Sequence, residues 1–274
     1  MNNNLYRFSI LLFGLALAMC GCGQDSSSED DIPPQAPIII PRSDDAVYPQ
    51  QGVRPEPVPS SPGQSSQNYW VRVEWQRNPE PDVKGYYVWR GSVDPTMGTT
   101  YRVADLEYPI DLPVGAGVTQ HFWIDVGNGS TTNSRDVLAP ILGEPRDYFW
   151  MVQAFDETGN LSALSDSIFY TLIENPYDIS VDRADVDNYV LSWRYPIGTS
   201  LNYKIRIYSN YYGPDSVMWD PPLFPGYTTQ ESMLLDRDGT AKAFERDCTY
   251  VWQLNAIRDD ASGAAVFTTF TYQD

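Results

Sequence analysis

Two stretches of this chain repeat each other: Tyr148-Phe-Trp-Met-Val-Gln-Ala-Phe155 and Tyr250-Val-Trp-Gln-Leu-Asn-Ala-Ile257. Both read Tyr-x-Trp-x-(Val/Leu)-x-Ala-(Phe/Ile), the period-2 pattern of a β-strand with one buried face. Each is preceded by a strand ending in Trp, Val71-Arg-Val-Glu-Trp75 and Tyr189-Val-Leu-Ser-Trp193. A repeated pair of this kind predicts two copies of one β-domain. The 274 residues suffice for two domains of ordinary size. The 19 Tyr and 8 Trp can fill two cores, since each ring buries a large area. Pro and Gly fall mostly between the apolar runs, as turns of an all-β chain require.

The first copy predicts strands at Val71–Trp75, Tyr86–Arg90, Gln120–Asp125, the Tyr148 stretch and near Ile168–Ile173. The second repeats the order with Tyr189–Trp193, Tyr203–Ile207, Tyr250–Ile257 and Ala264–Tyr272. Glu174-Asn175-Pro176 is the joint, because Pro halts the preceding ladder. A joint this short predicts domains set end to end with limited swing.

The amino terminus predicts export. One positive charge, Arg7, precedes an apolar run from Phe8 to Met19, and Cys20-Gly-Cys22-Gly follows. As a helix the run would span roughly 18 Å, against about 30 Å of bilayer core, so it fits a signal-peptide core. This end resembles the signal of a bacterial lipoprotein. In that family a Cys takes a diacylglyceryl group after cleavage just before it. Gly21 before Cys22 fits the family's preference for a small residue there; Cys20 is the alternative. The resemblance implies a membrane partner reached through an N-terminal lipid, and a place in the bacterial cell envelope, on the periplasmic side or the surface. Residues 1–21 are then the signal peptide and 22–32 an acidic tether with nothing to bury. Cys248 is left without a disulfide partner and reads as a structural thiol, buried or at an edge.

Ile32 to Pro41 reads as an edge first strand, and Val53 to Pro62 as polyproline II or disordered loop within an insertion, 43–66.

The strand pattern resembles tandem fibronectin type III domains. The residues that carry the likeness are Trp75 and Trp193, Tyr86 and Tyr203 in the strands that follow, and Tyr148 and Tyr250 opening the long strands. Tyr148 and Tyr250 look like tyrosine corners, with apolar Leu142 and Phe244 six residues before them. Asp82-Val-Lys-Gly-Tyr86 and Asp156-Glu-Thr-Gly-Asn-Leu-Ser162 look like bacterial members of the family. The expected fold is all-β: two tandem immunoglobulin-like sandwiches, 33–174 and 175–274. Trp75, Tyr86, Tyr148, Trp193, Tyr203 and Tyr250 are the expected core residues.

The chemistry points away from catalysis. The single His, His121, lies on a strand with Trp123 and Asp125 on the same face, and no Gly-x-Ser-x-Gly elbow accompanies it. It reads as a half-exposed strand histidine. The acidic pairs sit in turns or tether, and the turn after Asp156 lacks the ligand alternation of an EF-hand. No catalytic residue, metal site or cofactor is expected. A net charge of -18 opposes nucleic-acid binding.

One loop stands out. Tyr208 to Tyr227 is dense in aromatics and prolines. Its first reading is closure of the sandwich end. The second is a ligand site in which Tyr211, Tyr212 and Trp219 offer ring faces to a sugar or peptide. The chain is thus expected to be a non-enzymatic spacer or protein-interaction module, with a carbohydrate-binding lipoprotein as the alternative.

Overall fold

The computed structural model describes residues 31–41, 52–60, 68–93, 100–115, 117–127, 138, 145–184, 188–196, 201–209, 216–259 and 262–273. Cys20, Cys22, Leu142, Tyr211 and Tyr212 lie outside them. Among the described residues there is no α-helix, and the chain forms two β-sandwiches.

In the first sandwich, β1 (Arg54–Glu56), β3 (Trp70–Gln76) and β6 (Gln120–Asp125) make one sheet, in the order β1-β3-β6. The facing sheet contains β4 (Val83–Ser92), β5 (Tyr101–Glu107), β7 (Arg146–Asp156) and β8 (Ile168–Leu172), in the order β8-β7-β4-β5. Apolar alternation decides the faces. Val71, Val73 and Trp75 of β3 meet Tyr86 and Val88 of β4 and Tyr148, Trp150 and Val152 of β7 in one buried cluster.

The second sandwich repeats this. β9 (Tyr177–Arg183), β10 (Tyr189–Arg194) and β14 (Gln230–Leu234) form the smaller sheet. β11 (Leu201–Ser209), β12 (Val217–Trp219), β15 (Thr249–Asp259) and β16 (Ser262–Thr271) form the larger one, with β13 (Phe224–Gly226) paired to β11. Leu191, Trp193, Tyr203, Ile205, Trp252 and Leu254 lie at its centre.

The six expected core aromatics are all buried, none more than 3% exposed. The Trp–Tyr pair recurs with one geometry: ring centroids are 5.4 Å apart at 65° for Trp75–Tyr86, and 5.1 Å at 69° for Trp193–Tyr203. Such edge-to-face contact suits the ring quadrupoles. Tyr250 forms a tyrosine corner, its hydroxyl accepting from the Glu245 amide at 2.7 Å, and Phe244 packs edge-on against its ring at 4.9 Å. Close packing sets backbone requirements too. A Cβ on Gly226 would lie 2.2 Å from the Tyr203 ring.

The two larger sheets join. β8 and β16, the last strands of the two domains, pair in parallel at Thr171↔Ser262 and Leu172↔Gly263. The result is one sheet of ten strands running through both domains. The expectation of end-to-end domains is therefore replaced by edge-to-edge union. A free last strand on each sandwich exposes unpaired amides, and each supplies the other with a partner.

The proline-rich segment also departs from expectation. Arg54–Glu56 is strand β1, antiparallel to β3, and Val58–Pro59 is strand β2, parallel to β16 at Val266 and Phe267. Prolines stand at 55, 57 and 59, the period of a strand. Successive amides of a strand point to opposite edges. Ser60 N donates to Phe267 O at 2.8 Å, so the even-numbered amides face the partner here and the prolines face away. Pro in this phase loses no ladder bond. The earlier segment, expected as an edge first strand from Ile32 to Pro41, forms only an isolated antiparallel bridge, Ile39 to Trp75, with Ile40 N donating to Glu74 O at 2.9 Å.

Candidate functional site

The aromatic loop resolves in favour of packing at Trp219. β12 pairs with β11, placing Trp219 opposite Ile207. Its ring is 1% exposed, and its Nε1 donates to Asp238 Oδ1 at 2.9 Å. That bond, with the one from the Thr240 hydroxyl, holds the Asp238 carboxyl below the usual carboxylate range. Trp219 thus offers no ring face to solvent, correcting its reading as a stacking residue. A three-residue strand amid prolines leaves little periodicity to detect. Tyr208 is buried as well, while Tyr227 is 67% exposed.

His121 is also misplaced by its strand pattern. It is 1% exposed, not half-exposed, because Tyr108 from the end of β5 folds over it. Tyr108 Oη lies 2.7 Å from His121 Nε2. The Tyr108 hydroxyl in turn donates to the Tyr86 oxygen at 3.4 Å, and the Tyr86 hydroxyl to Asn78 Oδ1 at 3.3 Å. His121 Nε2 and the Tyr108 hydroxyl thus share one short hydrogen bond inside the core. Nδ1 has no hydrogen-bond partner among the described residues. Burial, and secondarily the Arg77 charge, push the imidazole pKa down to about 4. The imidazole lies among the rings of Trp75, Tyr86 and Tyr108, packed into the first core.

Asp125, expected on the same face as His121, serves Arg90 instead. Arg90 Nη1 lies 2.6 Å from Asp125 Oδ2, with both side chains at most 2% exposed. Trp150 Nε1 and the Gly127 amide also donate to the carboxylate, each at 3.0 Å. Burial works against the Arg90 charge, but Asp125 and Tyr101 outweigh it and raise its pKa. Three donor groups on the Asp125 carboxylate, from Arg90, Trp150 and Gly127, offset the cost of burying the pair. Nothing in β4 alone marks Arg90 as internal; its partner is 35 residues away.

The turn after Asp156 has no need of a cation. Asp156 accepts from the Thr158 and Asn160 amides, the Thr158 hydroxyl and Asn160 Nδ2, all between 2.8 and 2.9 Å. Burial would raise its pKa, but these donors prevail and lower it. No group of three or more metal-binding side chains occurs among the described residues. Cys248 is partly exposed, 3.7 Å from Glu245 Oε2; burial first, then that carboxylate, raises its pKa, which opposes nucleophilic use.

The densest set of unexpected contacts lies where the domains meet. Gly52, at φ 80°, turns the chain into β1 and donates its amide to Glu74 Oε2 at 2.9 Å. Arg54 Nη2 reaches Glu74 Oε1 at 2.8 Å, and Arg72 grips Glu56 through two bonds of 2.9 Å. Val53 enters the first core and Val58 the second. Trp70 of β3 packs against the second core. Tyr69 donates to Glu174 at 3.0 Å, and Asn175 Nδ2 to Asn68 O at 2.8 Å. Burial, then Glu174, pushes the Tyr69 phenol well above its usual range.

No family model matches the chain. No curated protein matches it. Among solved structures it is similar to the fibronectin FN1–FN3 domains of chicken CNTN1, at 14% identity and a TM-score of 0.31, over 83% of this chain and 71% of that one.

Proposed function

We propose that this chain is a non-enzymatic, lipid-anchored protein of the bacterial envelope, acting as a spacer and protein-interaction module. The observation that carries the reading is the sheet shared by both sandwiches. A continuous ladder, closed by the Tyr69–Glu174 and Asn175–Asn68 bonds, resists bending as a flexible joint does not. A stiff body behind an acidic tether suits holding a surface at a distance from a membrane. The resemblance of residues 1–21, followed by Cys22, to a lipoprotein signal supplies the anchor.

The anchor is tested by acyl labelling in a bacterial host. Cys22→Ala is expected to abolish labelling and release the protein from membranes. Labelling that persists in Cys22→Ala but is lost in Cys20→Ala moves the site to Cys20; absence of label in the wild type rejects the lipoprotein reading. A glycan array separates the interaction module from the carbohydrate-binding alternative, which has lost Trp219 as a platform and would rest on Tyr211 and Tyr212.

A further inference from the structure

We propose that the groove running from β3 to β16 across the domain junction is a strand-acceptor site for an extended peptide, and that residues 52–60 are its resident ligand in cis. The inference goes beyond the anchored-spacer reading and does not depend on it.

The segment is held as a ligand is held. Its backbone adds a strand to two different sheets, antiparallel on β3 and then parallel on β16. Strand addition of this kind takes affinity from main-chain hydrogen bonds and specificity from alternate side chains. Val53 and Val58 fill one site in each core and are at most 1% exposed. Between them Arg54 and Glu56 form crossed ion pairs with Glu74 and Arg72 of β3. The sequence distance is long: β2 meets a strand some 200 residues later, at Val266 and Phe267. The edge it covers is therefore completed by a distant piece of chain rather than by its own domain.

The groove specifies the chemistry of what it takes. An apolar residue is required at each end of a six-residue stretch, with a basic and an acidic side chain two apart between them. Amides are required only at alternate residues on the β16 side, because Ser60 donates there while Pro59 faces away. Prolines in that phase are tolerated, and they leave the peptide's outer edge without donors, so a further strand cannot add to it. The fitting ligand is an extended peptide with proline at every second position, as in residues 52–60 themselves.

The test uses the full chain with residues 53–60 replaced by Gly and Ser at equal length, and a fluorescein-labelled peptide carrying the sequence of residues 52–60. Fluorescence polarisation is expected to give saturable binding to the variant, and at least tenfold weaker binding to the wild type, whose groove is filled. A peptide carrying Ser60→Pro, which lacks the amide for Phe267 O, should bind the variant about tenfold more weakly than the native peptide. Equal binding to variant and wild type, no binding to the variant, or indifference to Ser60→Pro overturns the proposal. If the replacement variant fails to fold, Val58→Gly in the full chain takes its place. The native peptide in excess should raise the Tm of that variant by several degrees, as a ligand of the native state does, and the same peptide with Gly at 58 should not. No rise, or an equal rise with both peptides, overturns it.

Discussion

At the residue scale, the ionisable groups inside the first sandwich are either compensated by opposite charge or kept neutral. Arg90 and Asp125 are tolerated because donors and acceptors converge on them from β4, β6 and β7. His121 is tolerated because it stays neutral. Its folded pKa, about 4, lies below the ordinary 6.5. Between those values the unfolded chain binds a proton that the folded chain does not, so stability rises with pH through that window. The contribution is fully present above pH 6.5, is lost progressively as pH falls towards 4, and is flat below. Wild-type protein is expected to lose about 2 kcal/mol more than His121→Gln on going from pH 7 to pH 5, measured by urea denaturation. Parallel pH profiles for the two proteins would show that His121 titrates normally.

At the element scale, the two copies differ in how the long strand meets the last one. β15 and β16 form a close hairpin, with pairs from Ile257↔Gly263 to Thr249↔Thr271. In the first copy the ladder of β7 with β8 covers only Arg146 to Trp150. Beyond it, the Ser165 hydroxyl accepts from Val152 N and the Ser162 hydroxyl from Ala154 N, each at 2.9 Å. The two hydroxyls replace a missing strand. Ser162→Ala with Ser165→Ala leaves two buried amides unpaired and is expected to cost about 2–6 kcal/mol together, by the usual penalty for each group. Chemical denaturation measures this; a loss below 1 kcal/mol would mean that water reaches those amides. The same attention to individual amides explains the misjudged proline run. Composition marks residues 53–62 as polyproline, but the alternation of the prolines keeps every second amide, and a single-edged strand needs no more.

At the scale of the whole molecule, the sandwiches are coupled through backbone, core and side chains at once. Trp70 belongs to a strand of the first domain and packs on the core of the second. The chain is therefore expected to unfold in one cooperative thermal transition, seen alike by tryptophan fluorescence and far-UV circular dichroism. Trp70→Ala should lower stability by roughly 2–3 kcal/mol, below the 3–5 of a fully buried aromatic because the ring is half-covered. It should also separate the transition into two. A wild type that already melts in two steps would refute the coupling.

Legibility followed the range of the interaction. The period-2 strands, the recurring Trp–Tyr pairs and the Tyr250 corner with Phe244 are properties of local pattern, and each stands where the sequence places it. The duplicated all-β architecture could be read because burial on one face forces alternation along a strand. Trp219, His121 and Arg90 could not be placed that way. Whether such a side chain is inside depends on what another strand lays over it, and Tyr108, Asp238 and Asp125 are remote in sequence. The union of β8 with β16 and the passage of residues 52–60 across both domains belong to the same class. Edge amides carry no side-chain signature, so the partner of an open edge is settled only when the folded domains bring their edges together.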